Sequence, residues 1–248
     1  MSKVLLITGA SRGIGAETAR LAARRGYRLC LNYLQAEEAA QDLLASLTSE
    51  GCHAIAYQAN IADETEVKAM YQAIDREFGK LDGLVNNAGI LEQQCDLVDM
   101  SPERWRRVFE TNVIGSFLCA REAVKRMSTR HGGDGGSIVN LSSRAADLGA
   151  AHEYIDYAAS KAAIDGMTRG LAKEVADQGI RVNAVKPGLI YTEMHADGGE
   201  AGRVDRLKDA VPMQRGGLPA EVAEAIIWLL SDASGFTTAS FIDVSGGR

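Results

Sequence analysis

A chain of 248 residues, 46% of them hydrophobic, has enough apolar material for one large α/β domain or two small ones. This composition excludes an intrinsically disordered protein. The formal net charge of −6 argues against a nucleic acid or an anionic membrane surface as a partner, because both bind cationic surfaces. The four cysteines and four histidines show no metal-ligand spacing, so we expect no metal site.

Strand and helix patterns alternate from the start of the chain. An apolar run begins at Lys3 and ends in turn residues, so it predicts a first strand and not a secretory signal. With this run, seven short apolar segments predict strands, at residues 3–8, 28–32, 53–58, 83–89, 137–143, 181–188 and 240–247. Longer amphipathic segments between them predict helices, among others at Glu37–Ser49, Glu64–Phe78, 102–127 and 157–177.

The alternation predicts one doubly wound α/β domain over residues 1–248. Right-handed crossovers would build a parallel, seven-stranded, Rossmann-like sheet with helices on both faces. Ligands of such sheets bind beyond the carboxyl ends of the strands. No apolar segment approaches the roughly 20 residues that span a bilayer, so we expect a cytoplasmic protein.

The turn after the first strand reads TGASRGIG, from Thr8 to Gly15, and a helical pattern follows it. Glycines at 9, 13 and 15 let the backbone turn sharply and approach a ligand, while the helix N-terminus offers unpaired N–H groups to a phosphate. The spacing of these glycines departs from the common G-x-G-x-x-G pattern. The turn still predicts a cradle for a dinucleotide pyrophosphate.

The end of the second strand indicates which dinucleotide binds. A carboxylate there would bind a ribose 2′-hydroxyl and repel a 2′-phosphate, but the sequence has Asn32 and Tyr33 instead. Arg12, inside the glycine-rich turn, is a cation that could pair with the extra phosphate. These residues favour NADP over NAD.

Four motifs in a fixed order resemble the single-domain short-chain dehydrogenase/reductase family. They are TGASRGIG at 8–15, NNAG at 86–89, the serine pair at 142–143 and YAASK at 157–161. A later KPGLIYTEM segment, at 186–194, is similar to the family's cofactor-side Pro-Gly loop. The resemblance covers essentially the whole chain and implies the catalytic set Asn112, Ser143, Tyr157 and Lys161.

In the roles that the resemblance implies, Tyr157 exchanges a proton with the substrate oxygen, Ser143 hydrogen-bonds that oxygen, and Asn112 holds a chain of waters. Bringing a tyrosine pKa from about 10 to about 7 costs ~4 kcal/mol, and an ammonium about 4 Å away supplies ~4 kcal/mol at an effective dielectric of about 20. Lys161, one helical turn on, is placed for that task. The spacing to Tyr157 leaves open whether Ser142 or Ser143 faces the substrate.

The resemblance also implies contacts with the cofactor along the edge of the sheet. Asn60 stands where many relatives carry an aspartate, and Ile190 could donate its backbone N–H to the carboxamide. The full set is Gly9, Ser11, Arg12, Gly13, Ile14, Gly15, Asn32, Tyr33, Asn60, Ile61, Asn87, Ala88, Gly89, Tyr157, Lys161, Pro187, Gly188, Ile190 and Thr192.

Residues 193–216 are polar, glycine-rich and without a strand pattern, so we expect a mobile cover over the substrate. Met194 and Met213 are candidates for its apolar lining. The segment defines no particular substrate. The helical segments 105–127 and 157–177 resemble those that form subunit contacts in the family, which implies a homotetramer.

The favoured interpretation is an NADPH-dependent oxidoreductase that interconverts a small carbonyl compound and its alcohol, with reduction preferred. One alternative is a non-catalytic NAD(P)-sensing protein, which would have no need of a proton donor at Tyr157. A second is an NAD-linked sugar or alcohol dehydrogenase. A nucleotide-sugar epimerase would need an added sugar-binding domain, for which the chain has no room.

Overall fold

The computed structural model describes residues 2–248, in which seven parallel strands form a single sheet. The strands are β1 (Val4–Ile7), β2 (Arg28–Tyr33), β3 (Ala54–Gln58), β4 (Gly83–Asn86), β5 (Gly136–Leu141), β6 (Ile180–Pro187) and β7 (Phe241–Val244). Their spatial order is β3-β2-β1-β4-β5-β6-β7, so the direction of winding reverses between β1 and β4. This is the switch point where doubly wound sheets bind ligands. The predicted seven-stranded, single-domain fold is confirmed.

Both faces of the sheet are buried, which explains why the strands are apolar throughout. In β1, Val4 and Leu6 pack into one hydrophobic cluster, while Leu5 and Ile7 pack into the other. Successive strand side chains point to opposite faces, so a strand buried on both faces needs a continuous apolar run. The chain therefore has two cores, one on each face of the sheet.

Ten α-helices occur in the described residues, and the long ones cover the two faces. The cluster with Val4 and Leu6 is covered by α3, α5 and α7, and the other by α1, α2 and α10. No helix within residues 2–248 has the length and apolarity needed to cross a bilayer. The helices are α1 (Gly13–Arg24), α2 (Glu37–Ser49), α3 (Glu64–Phe78), α4 (Pro102–Phe109), α5 (Ser116–Met127), α6 (Ala145–Leu148), α7 (Ile155–Val175), α8 (Met194–Asp197), α9 (Arg203–Leu207) and α10 (Pro219–Leu230).

The predicted bounds of α2 and α3 are confirmed, and the predicted helix at 102–127 is helical throughout. Its middle is a π-helical segment, Glu110–Gly115, which joins α4 to α5. A side chain at Gly115 would collide with Ile61, since an added Cβ would lie 2.7 Å from Ile61 Cγ1. The helix therefore approaches the loop after β3 closely at this segment. The predicted helix at 157–177 begins two residues earlier, and its last turn is the 3₁₀ turn Ala176–Gln178.

The segment 193–216 contains two short helices, α8 and α9, and no strand of the sheet. A parallel bridge between Ile190 and Gly217 joins the residues on either side of it. Val204 and Val211 pack with Leu189 in a small cluster outside the two cores. The segment therefore leaves and rejoins the domain near the carboxyl end of β6.

Candidate active site

Tyr157 and Lys161, one turn apart on α7, share one space at the carboxyl end of β5. Lys161 is 4% exposed, and its Nζ donates a 2.7 Å hydrogen bond to the carbonyl oxygen of Leu141, the last residue of β5. The same Nζ lies 5.6 Å from the centroid of the Tyr157 ring. The helical spacing thus brings the phenol and the amine together as the sequence predicts.

The pKa of Tyr157 is raised in the structure, whereas the sequence predicts that it is lowered. Burial raises the pKa of Tyr157 to about 12, and the hydrogen bond with Ser143 only partly opposes this. Burial also lowers the pKa of Lys161 to about 8, against the attraction of Asp165. The expectation of a phenol pKa near 7 is therefore wrong for this structure. The Lys161 ammonium donates its hydrogen bond to the Leu141 carbonyl and lies beside the Tyr157 ring. Desolvation of the phenol therefore outweighs the attraction of the ammonium for the phenolate.

The two serines at the end of β5 point to different partners. The buried Ser142 donates a 2.6 Å hydrogen bond from Oγ to Oδ1 of Asp165. Ser143 is only partly buried, and its hydroxyl is the one that lowers the pKa of the Tyr157 phenol. Its Oγ also accepts from the backbone N–H of Ala145, at 3.1 Å. Of the two alternatives left open by the sequence, this geometry favours Ser143.

Asn112 lies in the π-helical segment and is fully buried. Its Oδ1 accepts from the N–H of Ile90 at 2.8 Å, and its Nδ2 donates to the carbonyl of Ile90 at 2.9 Å and to Oγ of Ser160 at 3.0 Å. A Cβ added at Gly89 would lie 3.3 Å from Asn112 Oδ1 and 3.4 Å from Lys161 Nζ. Asn112 therefore fixes the loop after β4 against α7, next to the lysine. Its role with waters stays a prediction.

A buried ion pair fixes the first turn of α7. Asp156 accepts from Nε of Arg104 at 2.7 Å and from its Nη2 at 3.1 Å, and it also accepts from the backbone N–H of Tyr157 at 2.9 Å. The two charged side chains are 9% and 2% exposed. A bidentate pair of this kind sets orientation as well as energy. It anchors α4 to α7 directly beside the phenol.

The glycine-rich turn has the close contacts that a phosphate cradle needs. A Cβ at Gly15 would lie 2.4 Å from the carbonyl oxygen of Gly9, and one at Gly9 would lie 2.9 Å from Cα of Ala88. Gly13 has a φ of 55°, in the left-handed region. The first turn of α1 contains no acidic residue and receives no side-chain cap from Arg12. The backbone N–H groups of this turn therefore fit a dinucleotide phosphate.

Asn87, from the NNAG motif, binds the backbone of the glycine-rich turn. Its Nδ2 donates to the carbonyls of Thr8 and Gly9, at 2.8 and 2.9 Å. The hydroxyl of Thr8 in turn accepts from the N–H groups of Asn87 and Ala88, both at 3.0 Å. The carboxyl ends of β1 and β4 are thus held together at the switch point.

Asn32 is buried beneath the glycine-rich turn with its amide hydrogen-bonded to backbone groups, and its contact with a cofactor stays a prediction. It is 2% exposed, its Oδ1 accepts from the N–H of Gly9 at 3.3 Å, and its Nδ2 donates to the carbonyl of Ala59 at 2.9 Å. Tyr33 and Ile61 are also buried, at 5% and 4% exposure. The sequence shows correctly that no carboxylate stands at the end of β2. It could not show that the Asn32 amide is hydrogen-bonded to backbone groups.

The remaining predicted cofactor residues lie along the same edge. Asn60 is partly buried, and its Oδ1 accepts from the N–H of Ala62 at 3.0 Å. Thr192 packs against the glycine-rich turn, because a Cβ at Gly13 would lie 3.4 Å from its Cγ2. Ser11 is partly buried in that turn and Arg12 is exposed, with its guanidinium paired to Asp197 of α8. The residues that also line the cavity beside Tyr157 are Ile14, Asn87, Pro187, Gly188, Ile190 and Thr192.

This cavity, of about 170 Å³, is bounded by the ends of β5 and β6, by α7 and by the segment 193–216. Ser143, Tyr157 and Lys161 all line it. Several other lining residues were not predicted from the sequence. Tyr154 could have been found, since it lies one turn before Tyr157, whereas residues of the irregular segment gave no periodic signal. The missed polar residues are Arg144, Glu153, Tyr154, His195, Arg203 and Arg248.

The glycine-rich turn at the switch point and a Ser, Tyr and Lys group around one cavity define a nucleotide-dependent oxidoreductase site. The family model described as "Enoyl-(Acyl carrier protein) reductase" matches residues 9–248. The chain belongs to the short-chain dehydrogenase/reductase family and is an enzyme of that class.

Relatives of this chain are similar over their whole length. It is 57% identical over 245 residues to the "uncharacterized oxidoreductase YgfF" of Escherichia coli, covering 99% of both chains. It is 37% identical over 247 residues to the "3-oxoacyl-[acyl-carrier-protein] reductase FabG" of Staphylococcus aureus, covering 100% of this chain and 98% of the relative. A Synechocystis protein named as a 3-oxoacyl-[acyl-carrier-protein] reductase is 38% identical over 247 residues, covering 99% and 96%.

Proposed function

We propose that this enzyme is an NADPH-dependent carbonyl reductase that can also run as an alcohol dehydrogenase. The observation that carries the proposal is the meeting of Ser143, Tyr157 and Lys161 in one cavity beside the glycine-rich turn. When bound, the nicotinamide cofactor supplies the hydride. The protein then has to place the carbonyl, stabilise the charge that develops on its oxygen and deliver a proton to it.

Each side chain of the group has a distinct task in this proposal. With a pKa of about 12, Tyr157 is protonated at neutral pH and is a donor ready to protonate the substrate oxygen. Ser143 hydrogen-bonds the same oxygen as charge develops on it. Lys161, while protonated, favours the phenolate that remains after the transfer. Asn112 positions the loop and helix around them, and waters that resupply the proton complete the path.

The test is NADPH oxidation, followed by the loss of its absorbance, with a panel of carbonyl substrates. The panel contains aliphatic and aromatic ketones, oxo acids, ketoses and 3-oxoacyl thioesters, because relatives at 37–38% identity are named for 3-oxoacyl carrier-protein substrates. We expect reduction of at least one class. Cofactor binding without turnover across the panel would favour the non-catalytic sensor, and turnover with NAD and sugars would favour the dehydrogenase alternative.

The cofactor preference depends on Arg12. We expect Arg12→Met to weaken NADPH binding by about 10-fold and to change NADH binding little, because a charge-assisted contact to a 2′-phosphate is lost. The loss is moderate because Arg12 already has a partner in Asp197. Fluorescence titration of both dinucleotides measures the effect, and Arg24→Met, an exposed arginine at the far end of α1, is the matched control. Tighter binding of NADH than of NADPH by the wild type contradicts the proposal.

We also propose that the enzyme is a homotetramer that acts in the cytoplasm. A row of large exposed hydrophobic side chains follows α4, the π-helical segment and α5: Trp105, Phe109, Ile114 and Phe117. Apolar rows of this kind on a folded surface favour burial against a second copy. The four free cysteines fit a reducing compartment.

We expect Phe117→Glu to shift the molecular mass in light scattering from that of a tetramer towards a dimer or monomer, because a carboxylate would be buried in the contact. Gln41→Glu, which adds the same carboxylate at an exposed position of α2, is the control for a general charge effect. A wild type of monomeric mass contradicts this proposal without touching the catalytic one.

A further inference from the structure

Two buried nitrogen atoms of residues lining the cavity have no hydrogen-bond partner within residues 2–248: Nη1 of Arg203 and Nδ1 of His195. Both residues belong to the segment that covers the cavity. Arg203 is 8% exposed, and its side chain lies over the Tyr154 ring with Cζ 5.6 Å from the ring centroid. A buried polar atom without a partner costs free energy that a ligand atom can recover.

The two nitrogens need opposite hydrogen-bond partners: Nη1 of Arg203 needs an acceptor, and Nδ1 of His195 needs a donor. Arg203 already uses Nη2 in an ion pair with Glu153, so its Nη1 remains as a donor of hydrogen bonds. His195 has its Nε2 3.0 Å from the carbonyl oxygen of Ile190, which can only accept. Nε2 therefore carries the hydrogen, and Nδ1 is an acceptor. Burial lowers the pKa of His195, which keeps the ring in this neutral form.

The charge of the cavity decides what Arg203 would bind. Its charged side chains are cationic at Arg144, Lys161, Arg203 and Arg248 and anionic only at Glu153. Arg144 is neutralised by Asp147 and Asp243, and Arg203 and Glu153 neutralise each other, so Lys161 and Arg248 carry the remaining positive charge. The remaining positive charge favours an anionic ligand group, and a guanidinium suits the planar oxygens of a carboxylate.

We propose that the substrate is a small oxo acid that also bears a hydroxyl or N–H group, with Arg203 binding its carboxylate and His195 accepting a hydrogen bond from the second group. This inference rests on the proposed function, since it names the substrate class of the same site. Because both residues lie on the covering segment, binding of such a substrate also holds that segment closed over the reacting carbonyl.

The experiment compares reduction of 5-oxohexanoate with that of its methyl ester by NADPH. We expect kcat/KM of the wild type to be about 10- to 100-fold higher for the acid, because the ester lacks the charge that Arg203 binds. A third substrate of the same chain length, 5-oxogluconate, adds hydroxyl groups and should improve kcat/KM further. His195→Leu should remove that improvement, and His195→Gln, which keeps an acceptor, should restore part of it.

The arginine is tested with a variant that leaves no buried charge unpaired. Arg203→Met combined with Glu153→Gln should bring the acid-to-ester ratio close to one, whereas Glu153→Gln alone should keep or raise it. Arg215→Met is the control for the covering segment, because Arg215 lies in the same segment and is exposed, in a pair with Glu221. It should leave the ratio unchanged. A wild-type ratio near one, or a ratio that survives the double substitution, overturns the proposal.

A binding measurement separates this inference from the proposed function. Hexanoate should raise the melting temperature of the wild-type NADPH complex more than hexanamide does, and the double variant should lose the difference. Stabilisation by hexanoate with no reduction of any carbonyl would support the carboxylate site and defeat the reductase. Ketone reduction with equal effects of hexanoate and hexanamide would keep the reductase and defeat the carboxylate site.

Discussion

Tyr157→Phe is expected to lower kcat for carbonyl reduction by about 10²- to 10⁴-fold, the range that a positioned general acid contributes. The substitution keeps the aromatic ring and removes only the hydroxyl, whose pKa of about 12 makes it a proton donor at neutral pH. Ser143 and the cradle at Gly9 and Gly15 are untouched, so binding of NADPH should change little. Rapid-mixing measurement of NADPH absorbance with the best carbonyl of the panel separates hydride transfer from binding.

The matched control is Tyr71→Phe, which removes another phenol hydroxyl far from the cavity. Tyr71 is fully buried, and its hydroxyl donates a 2.6 Å hydrogen bond to the carbonyl oxygen of Cys119. Its loss should lower the free energy of unfolding by about 1 kcal/mol and leave kcat within a few-fold of the wild type. Equal turnover by the wild type and Tyr157→Phe with every active substrate would remove the tyrosine from the chemistry.

The direction of the reaction gives the tyrosine a characteristic pH dependence. Reduction uses the protonated phenol, which is the dominant form below a pH of about 12. Alcohol oxidation needs the phenolate to accept a proton, so its rate should rise with pH until Lys161, with a pKa of about 8, loses its charge. The raised pKa of the phenol therefore favours reduction at neutral pH, and this preference arises from desolvation of the phenol.

The parts of the fold that the sequence predicted well are those set by local patterns. The bounds of α3 follow from its own ends: the side chain of Asp63 accepts from the N–H groups of Thr65 and Glu66, and Gly79 has a φ of 73° at the other end. The burial of β1 on both faces is likewise predicted by its four consecutive apolar residues. Such signals lie within a few residues and do not depend on the rest of the chain.

The features that the sequence did not predict depend on residues distant in sequence. The helix at 102–127 contains a π-helical segment, and at its end Gly115 lies close to Ile61 from the loop after β3. The position of Asn32 at the end of its strand does not show that Gly9 and Ala59 bind its amide. The raised pKa of Tyr157 has the same origin, since i, i+4 spacing predicts a neighbouring ammonium but says nothing about desolvation.

Lys161 should produce a pH-dependent stability that Lys161→Met lacks. Burial lowers its pKa from the ordinary 10.5 to about 8 in the folded protein. Between these two values the unfolded chain holds a proton that the folded protein has released, so the free energy of unfolding rises with pH. The whole shift corresponds to about 3 kcal/mol. Below pH 8 the ammonium is charged inside the fold, and its desolvation destabilises the protein by that full amount.

Urea unfolding of the wild type and Lys161→Met, without cofactor, between pH 7.5 and 10 measures this contribution. The wild type should gain about 2 kcal/mol relative to the variant across the range, with most of the gain above pH 8. Tyr157 acts in the opposite direction only above pH 10, since its folded pKa is raised to about 12. Lys173→Met, at an exposed position of the same helix, should run parallel to the wild type. If the free energy of unfolding of Lys161→Met changed with pH in parallel with that of the wild type, burial of the Lys161 amine would not destabilise the fold.

The same variant should also be almost inactive. A methionine in its place would remove the desolvation cost at neutral pH but would leave the phenolate formed by Tyr157 without a cation nearby. It would also leave the carbonyl of Leu141 without its 2.7 Å hydrogen bond. A buried ammonium that weakens the fold at neutral pH is consistent with a residue placed for catalysis, because no packing advantage offsets its desolvation.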